Sequence, residues 1–332
     1  MAVRAARVPS PSWLTVSLLP LEMLSLLLRE RRRQRDPVGF CARNDEGLTI
    51  QSVVITGAST GIGWATAKLL LDRGFRVFGS VRKQADADRL RSEFGANFTP
   101  LLFDVTDEAA VLAAAREVRT ALGGETLTGL VNNAGIAVAG PVLELAVDES
   151  RRQMEINVIG PVISTQAFGP LLGSDPSLKG PKGRIVMMSS VAGKNGSPMT
   201  GPYAASKHAI EGLSESLRRE MMLFGIDVII VAPGAVKTPI WSKAEEVDIS
   251  GYKNSPFLPA LEKVRRFMLA LGEIGLPAEK IAEIIADALT SARPKVRYQI
   301  APDPMRQLIA SVLPKRMLDR IIAKRLGLMP PG

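Results

Sequence analysis

The chain has 332 residues and 46% hydrophobic content, enough for one large core or two modest ones, so length alone leaves the domain count open. Its net charge of +9 is confined to the ends, because residues 1–35 carry +5, residues 293–332 carry +7, and the remainder carries −3. The body of the protein therefore offers no basic surface of the kind that tracks phosphates, and no nucleic-acid partner is predicted.

The first 48 residues lack the pattern of the following region and are predicted to be an extension, either disordered or a targeting segment. Trp13 to Leu28 is apolar but contains Pro20 and Glu22, and it is shorter than the roughly 20 residues that span a bilayer. The scarcity of acids near the N-terminus keeps a mitochondrial presequence open. The single cysteine, Cys41, fits a reducing compartment, so a cytoplasmic location is predicted, with mitochondrial or peripheral membrane locations as alternatives.

From Gln51 onward, short apolar runs alternate with longer helical patterns, which is typical of a parallel sheet covered by helices on both faces. Most runs are continuously apolar, as expected for strands buried on both faces. We predict an α/β, doubly wound Rossmann fold in one domain, residues 49–302, with about seven mostly parallel strands. The predicted strands are Ser52–Thr56, Arg76–Ser80, Phe98–Phe103, Leu127–Asn132, Arg184–Ser189, Asp227–Ala232 and Val296–Ile300.

Helical patterns fill the segments between these strands. Several of them end in a glycine, the residue that most readily takes the left-handed conformation after a helix: Gly74, Gly123 and Gly225. In such folds ligands bind beyond the carboxyl ends of the strands, where the strand order reverses. The predicted helices are Ile62–Arg73, Glu108–Leu122, Glu149–Leu172, Ala204–Phe224 and Pro277–Ser291.

A glycine-rich turn joins the first strand to the first helix. Its glycines permit a tight turn, and the helix N-terminus favours a pyrophosphate. The spacing, TGxxxGxG, resembles the short-chain dehydrogenase/reductase family. That family binds a nicotinamide dinucleotide here, so the cofactor-binding candidates are Gly57, Ser59, Thr60, Gly61, Ile62 and Gly63.

The end of the second strand indicates which cofactor is preferred. Folds that prefer NAD usually place an acid here to hold the ribose 2′-hydroxyl. This chain has none in the segment from Gly79 to Lys83, and Arg82 can pair with a 2′-phosphate. NADP(H) is therefore predicted over NAD(H). The resemblance adds Asp104 and Val105 as adenine contacts, although Asp104 could instead lie at a helix N-cap.

Two further motifs resemble the cofactor site of the family. The segment Asn132-Asn133-Ala134-Gly135 follows the fourth strand, and a Pro-Gly segment beginning at Pro233 follows the sixth. The resemblance implies that the first passes beneath the cofactor and the second closes over the nicotinamide. The residues predicted to contact it are Asn133, Ala134, Gly135, Pro233, Gly234, Val236 and Thr238.

Four residues are predicted to perform the chemistry. Tyr203 and Lys207 lie at i and i+4 of a predicted helix, and a nearby ammonium favours the phenolate form of tyrosine. Ser190, thirteen positions before Tyr203, has the spacing of the family's catalytic serine. Asn157 matches the family's helix asparagine, which positions a water behind the lysine. The resemblance implies carbonyl–alcohol interconversion, with Tyr203 moving the proton and both Tyr203 and Lys207 touching the cofactor.

Residues 240–271 correspond to the family's mobile substrate cover. Its aromatic content, including Trp241, Tyr252, Phe257 and Phe267, favours a lipophilic carbonyl or alcohol such as a steroid, a retinoid, or a fatty or aromatic compound. By resemblance, the long helices 149–172 and 204–224 would pair in a homodimer or homotetramer.

The tail, residues 303–332, contains a basic amphipathic pattern from Leu308 to Leu328, interrupted by Pro314. Two roles are open for it. It caps the substrate pocket, or it makes a peripheral membrane contact.

Two rival functions remain open. Ser59 satisfies the G-x-S-x-G pattern of a serine hydrolase, whose base would have to be His208, the only histidine. A catalytically silent NADP(H)-binding scaffold or sensor is the second, although it would be free to lose Tyr203 or Lys207. No metal site is predicted.

Overall fold

The computed structural model describes residues 50–238, 249–301 and 313–330. The predicted N-terminal extension, the part of the predicted cover that contains Trp241, and the start of the predicted tail lie outside these residues.

Seven parallel strands form one sheet, as predicted, and their order is β3-β2-β1-β4-β5-β6-β7. The continuous apolar runs form strands because side chains on both faces of the sheet are covered. In β1, Val53 and Ile55 belong to the core on one face and Val54 to the core on the other, all with no exposure. The strands are β1 Ser52–Ile55, β2 Arg76–Val81, β3 Phe98–Leu102, β4 Gly129–Asn132, β5 Arg184–Met188, β6 Asp227–Pro233 and β7 Arg297–Ile300.

Nine α-helices lie in the described part of the chain. The first and eighth cover one face of the sheet, and the third, fifth and sixth cover the other. The glycines predicted to end helices take positive φ angles, as at Gly123 and Gly225. The helices are α1 Gly61–Asp72, α2 Gln84–Phe94, α3 Glu108–Leu122, α4 Val147–Met154, α5 Gly160–Phe168, α6 Gly201–Met221, α7 Leu258–Ile274, α8 Ala278–Thr290 and α9 Lys315–Leu326.

The strand order places the binding crevice. Strand β1 pairs with β2 on one side and with β4 on the other. The chain therefore winds outward from β1 in one direction and returns to wind in the other, so the loops after β1 and β4 diverge. This is the switch point at which such sheets bind ligands.

The predicted helix Glu149–Leu172 is interrupted. A π-helical turn, Glu155–Ile159, separates α4 from α5, and a 3₁₀ turn, Gly169–Leu172, follows α5. Pro161 has no N–H to donate to the carbonyl four residues earlier, that of Asn157, which disfavours regular α-helix at this point. The interruption brings Asn157, an expected site residue, into the middle of the π turn.

Helix α7 begins in the predicted substrate cover and extends beyond its end, to Ile274. Its buried residues Ala260, Leu261 and Val264 pack around Met199, in the loop before α6, and form a small separate core. Leu326 and Leu328, at the end of α9, pack against the same core. The tail helix therefore lies against the cover helix. No helix in the described ranges has the length and apolar character needed to cross a membrane.

Candidate active site

The glycine-rich turn after β1 leaves little room for side chains. Gly57 and Gly61 have φ angles of +69° and +60°, which strain other residues. A Cβ on Gly57 would lie 3.0 Å from the Cα of Ala134, and one on Gly63 would lie 2.2 Å from the Gly57 carbonyl oxygen. Thr60 precedes α1 without a side-chain capping bond, and the first turn of α1 contains no acid. The helix N-terminus therefore suits an anion such as a pyrophosphate.

The ends of β1 and β4 are tied together beneath this turn. The Thr56 hydroxyl oxygen accepts hydrogen bonds from the N–H groups of Asn133, at 2.9 Å, and Ala134, at 3.0 Å. The Asn133 amide donates to the carbonyl oxygens of Thr56 and Gly57, at 2.9 and 3.0 Å. The Gly57 N–H donates to the Ser80 hydroxyl oxygen at 2.9 Å. These bonds fix the loop positions on both sides of the crevice.

A cationic side chain and a carboxylate stand at the β2–β3 end of the crevice. Arg82 is 62% exposed, and its nearest nitrogen lies 3.8 Å from a carboxylate oxygen of Asp104. Asp104 also accepts bonds from the N–H and hydroxyl of Thr106. The N-cap of α3 is Asp107, which accepts from the Ala110 N–H, so the alternative role for Asp104 belongs to Asp107.

Ser190, Tyr203 and Lys207 meet where β5 ends against α6. The Ser190 hydroxyl lies near enough to the Tyr203 phenol to lower its pKa. The Lys207 ammonium donates to the Met188 carbonyl oxygen at 2.8 Å and lies 5.8 Å from the centre of the Tyr203 ring. The Ser190 oxygen accepts from the Ala192 N–H at 3.1 Å, which leaves its own hydrogen free to donate.

The pKa of Tyr203 departs from the sequence-based expectation. Burial raises this pKa above 10.0, and the hydrogen bond with Ser190 opposes the rise only in part. Burial also lowers the pKa of Lys207 from 10.5 to about 8. The net shift in the Tyr203 pKa is therefore upward rather than downward as expected, because loss of hydration disfavours the phenolate more than the polar neighbours of Tyr203 favour it.

Most of the predicted site residues line one cleft of about 270 Å³ at the switch point. They are Gly57, Ser59, Thr60, Gly61, Ile62, Arg82, Asp104, Val105, Asn133, Ala134, Gly135, Ser190, Tyr203, Lys207, Pro233, Gly234, Val236 and Thr238. The sequence therefore identified a set of residues that folding brings together from six loops and helix α6.

Gly63 and Asn157 are not among the residues that line this cleft. Gly63 allows α1 to approach the turn. The Asn157 oxygen accepts from the Ile136 N–H at 2.9 Å, and its amide donates to the Ile136 oxygen and to the Ser206 hydroxyl, at 3.0 and 3.2 Å. Asn157 thus joins the loop after β4 to α6.

The loop after β6 forms the last side of the cleft. The Gly234 N–H donates to the Ile300 carbonyl oxygen at 2.6 Å, and Val236 pairs with Leu276 in a short parallel bridge. Thr238 is the last residue described before the gap. The segment predicted to close over the nicotinamide is therefore held in place at Gly234 and Val236 by these backbone contacts.

Several residues of the site were not anticipated. Ser80, Ile136, Ile156, Met188 and Ser189 also line the cleft. Gln153, fully buried, accepts from the Val138 N–H and donates to the Ile136 oxygen, at 2.7 and 2.9 Å. Gln153 could have been found from the sequence, because it lies one helical turn before Asn157.

The serine hydrolase alternative finds no catalytic base. Ser59 lines the cleft, whereas His208 is exposed on α6, outside the cleft wall. The His208 ring bonds to the Ala204 carbonyl oxygen at 2.8 Å. Since the chain has only this histidine, Ser59 lacks the partner that the hydrolase mechanism requires.

Comparisons with known proteins agree with this geometry. A family model described as short chain dehydrogenase matches residues 51–248. An NADPH-dependent 3-dehydrocapnine reductase of Ornithobacterium rhinotracheale is 39% identical over 274 residues, covering 82% of this chain and 96% of that protein. Human retinol dehydrogenase 5 is 32% identical, covering 81% and 87%. A short-chain dehydrogenase structure from Streptomyces avermitilis matches with a TM-score of 0.67 at 25% identity, covering 86% and 100%.

Proposed function

Since this chain belongs to the short-chain dehydrogenase/reductase family and is an NAD(P)-dependent oxidoreductase by that membership, we propose that it uses NADP(H) to interconvert a lipophilic carbonyl and its alcohol. The observation that carries this proposal is the meeting of Ser190, Tyr203 and Lys207 in the dinucleotide cleft, where Ser190 lies near the Tyr203 phenol.

The residues of the cleft divide the chemistry between them. The glycine-rich turn after β1 would hold NADPH, which when bound would supply the hydride for the carbonyl carbon. Tyr203 donates its proton to the carbonyl oxygen, which becomes the alcohol hydroxyl, and takes the proton back in the oxidation direction. Ser190 donates a hydrogen bond to the same oxygen as negative charge develops there. The Lys207 ammonium, held by Met188, stabilises the phenolate that remains on Tyr203.

The pKa of Tyr203 sets the protonation state of the phenol at neutral pH. Because burial raises this pKa, the phenol carries its proton and is ready to donate it. Oxidation needs the opposite state, a phenolate that accepts a proton.

The preference for NADP(H) rests on the β2 end of the cleft. Arg82 is exposed at its wall, and the neighbouring residues, Val81 and Lys83, include no acid. A guanidinium forms strong, directional contacts with phosphate, whereas a carboxylate at this position would repel it. The relative named NADPH-dependent is consistent with this preference.

The preference for a lipophilic substrate rests on the cover. The core between α7 and the Met199 loop is apolar, and Tyr252 and Phe257 pack against it. A Cβ on Gly140 would lie 3.0 Å from the Tyr252 hydroxyl oxygen, so the cover reaches the loop after β4. Retinol dehydrogenases are among the relatives, which fits an apolar substrate.

Helix α9 caps this cover in our proposal, because Leu326 and Leu328 pack on the α7 core. On the outer face of α9, Met317 and Ile321 are exposed among lysines and arginines. A peripheral membrane contact through this face is the alternative role, and it can be tested. Flotation with anionic liposomes should be the same with and without residues 305–332. Loss of flotation on truncation would support the peripheral membrane role instead.

We also propose a homodimer or homotetramer in the cytoplasm. Exposed apolar side chains occur along the two helical segments expected to pair, at Ile159 and at Leu223. Sedimentation of the purified protein should show a species of two or four chains. A monomer at micromolar concentration would contradict this proposal.

The central test uses a panel of ketones, aldehydes and alcohols with NADPH, NADH and their oxidised forms. Tyr203→Phe should lower turnover by at least about 10²-fold while leaving NADPH affinity unchanged, because it removes only the proton donor. Tyr298→Phe is the matched control, since that hydroxyl bonds to Asp287 outside the cleft, and it should retain wild-type turnover.

Two results would contradict the proposal. Undiminished turnover in Tyr203→Phe would exclude the assigned chemistry. A wild-type protein that binds NADPH but converts nothing on the panel would favour the silent scaffold.

A further inference from the structure

Glu211 is a buried carboxylate that the proposed chemistry does not use. It is 4% exposed and lies on α6, one helical turn after Lys207 and two after Tyr203. Residues at this spacing share one face of a helix, so Glu211 extends the row formed by the two site residues. A buried carboxylate is costly unless it is paired, and its partners therefore indicate its purpose.

The partners of Glu211 come from two separate parts of the chain, the loop after β5 and strand β7. The Ser189 hydroxyl donates to it at 2.7 Å. Arg297, on β7, donates from Nε at 2.9 Å and from a terminal nitrogen at 3.0 Å. The Lys194 ammonium lies at 3.5 Å. Burial alone would raise the pKa of Glu211, but the hydrogen bonds from Arg297 and Ser189 and the two nearby cations lower it, so the group is a carboxylate.

Three successive turns of α6 therefore bind three consecutive residues at the end of β5. Lys207 donates to the carbonyl of Met188, Glu211 accepts from Ser189, and the Tyr203 phenol lies near Ser190. A shift of α6 along β5 would break all three contacts together. The contacts on either side of Lys207 thus fix the position of Tyr203 relative to Ser190 along the helix.

The loop after β5 is tightly packed against α6. A Cβ on Gly193 would lie 2.7 Å from the Ser189 hydroxyl oxygen and 3.0 Å from both Glu211 Cγ and the Lys207 carbonyl oxygen. The turn Val191–Gly193 begins at Ser190, whose oxygen caps it. Lys194, directly after the turn, reaches back to Glu211. The loop from Ser189 to Lys194 is therefore attached to Glu211 on α6 at both of its ends.

We propose that Glu211, through Ser189 and Arg297, is a positioning residue that holds Ser190 in hydrogen-bonding distance of Tyr203. This inference rests on the proposed function, because it concerns the same site. It also gives the two adjacent serines separate roles. Ser190 lies beside Tyr203, and Ser189 donates a hydrogen bond to Glu211.

The test compares Glu211→Gln and Ser189→Ala with Glu215→Gln. Glu215 is exposed one turn further along α6 and makes only a surface ion pair with Arg219, so it controls for charge removal on this helix. We expect kcat to fall about tenfold in the first two variants, with the KM for NADPH within about twofold of wild type. A misplaced reacting group costs rate rather than cofactor binding.

A second readout does not depend on turnover. The chain contains three tyrosines, so ¹³Cζ-tyrosine labelling gives three signals, and Tyr203→Phe assigns one of them. The Tyr203 signal should shift in Glu211→Gln and in Ser189→Ala at neutral pH, because its hydrogen bond with Ser190 changes. The other two signals and those of the Glu215→Gln control should stay in place.

The outcomes separate the two claims. An unshifted Tyr203 signal and a wild-type kcat in both variants would overturn the role of Glu211. A wild-type protein without turnover would count against the proposed function, while the signal would still decide the positioning role. If Glu211→Gln does not fold, Ser189→Ala removes a single hydrogen bond and decides the question alone.

Discussion

Burying the Lys207 ammonium should cost the protein stability at neutral pH. Burial lowers its pKa from 10.5 to about 8, and the side chain is 8% exposed. This gap of about 2.5 pH units corresponds to about 3.4 kcal/mol, since each unit corresponds to 1.36 kcal/mol. Below pH 8 the lysine is charged in both states, and the folded state bears the full penalty.

The sign of the pH dependence follows from proton counting. Between pH 8 and pH 10.5 the unfolded chain retains the Lys207 proton while the folded chain has released it. The unfolded state then binds more protons, so the free energy of unfolding rises with pH. For a group with these two pKa values, the gain between pH 7 and pH 10 is about 2.5 kcal/mol.

Lys207→Met removes the titrating group while retaining most of the volume of the side chain. Urea unfolding of wild type and variant at pH 7, 8, 9 and 10 should show the wild type gaining about 2.5 kcal/mol relative to the variant. Other titrating groups cancel in this difference. Lys253→Met, at an exposed position, is the control and should follow the wild type at every pH. A difference between wild type and Lys207→Met that is flat across this range would refute the argument.

Three further predictions concern the cofactor, the turn and the cover. Arg82→Ala should raise the KM for NADPH about 10- to 100-fold and leave that for NADH unchanged, as loss of charged hydrogen bonds implies; equal effects on both would contradict the assignment. Gly63→Ala should destabilise the protein by about 1–3 kcal/mol through overpacking, whereas Gly212→Ala, with open space around its Cβ, should not, as urea unfolding would show. Leu326→Ser should raise the KM for a lipophilic ketone but not for NADPH, whereas the exposed Met317→Ser should change neither.

The sheet and the cleft were predictable because local patterns determine them. Apolar runs located all seven strands to within about two residues, since five of them are buried almost throughout, whereas the edge strands β3 and β7 are partly exposed. Cofactor candidates such as Gly57 and Asn133 were found because motifs directly after strands meet at one sheet edge. These inferences needed only neighbouring residues.

Helix α2 was missed because its sequence is mostly polar. Of its eleven residues only Ala87 and Leu90 are buried, so its apolar stripe is too narrow to stand out from a loop. The sequence does contain an acid in its first turn and a glycine after its end, Asp86 and Gly95, but such signals mark boundaries only once a helix is suspected.

The Glu211 cluster could not be predicted for a different reason. Its members, Ser189, Glu211 and Arg297, are separated by 22 and 86 positions and meet only after β5, α6 and β7 have packed. A charged residue on a helix is usually a solvated one. Only the folded chain shows that this carboxylate is buried and that each of its neighbours donates to it.

The order in which the two central groups ionise depends on burial as well. In water, tyrosine at 10.0 loses its proton before lysine at 10.5. Burial disfavours whichever form is charged, so it raises the pKa of Tyr203 and lowers that of Lys207 to about 8, which reverses the order. A phenolate on Tyr203 is therefore not a resting state at neutral pH. In the proposed mechanism it arises when the substrate oxygen takes the proton, while the ammonium beside it is still charged. A protonated phenol at this position suits the proposed donation of a proton to a carbonyl oxygen.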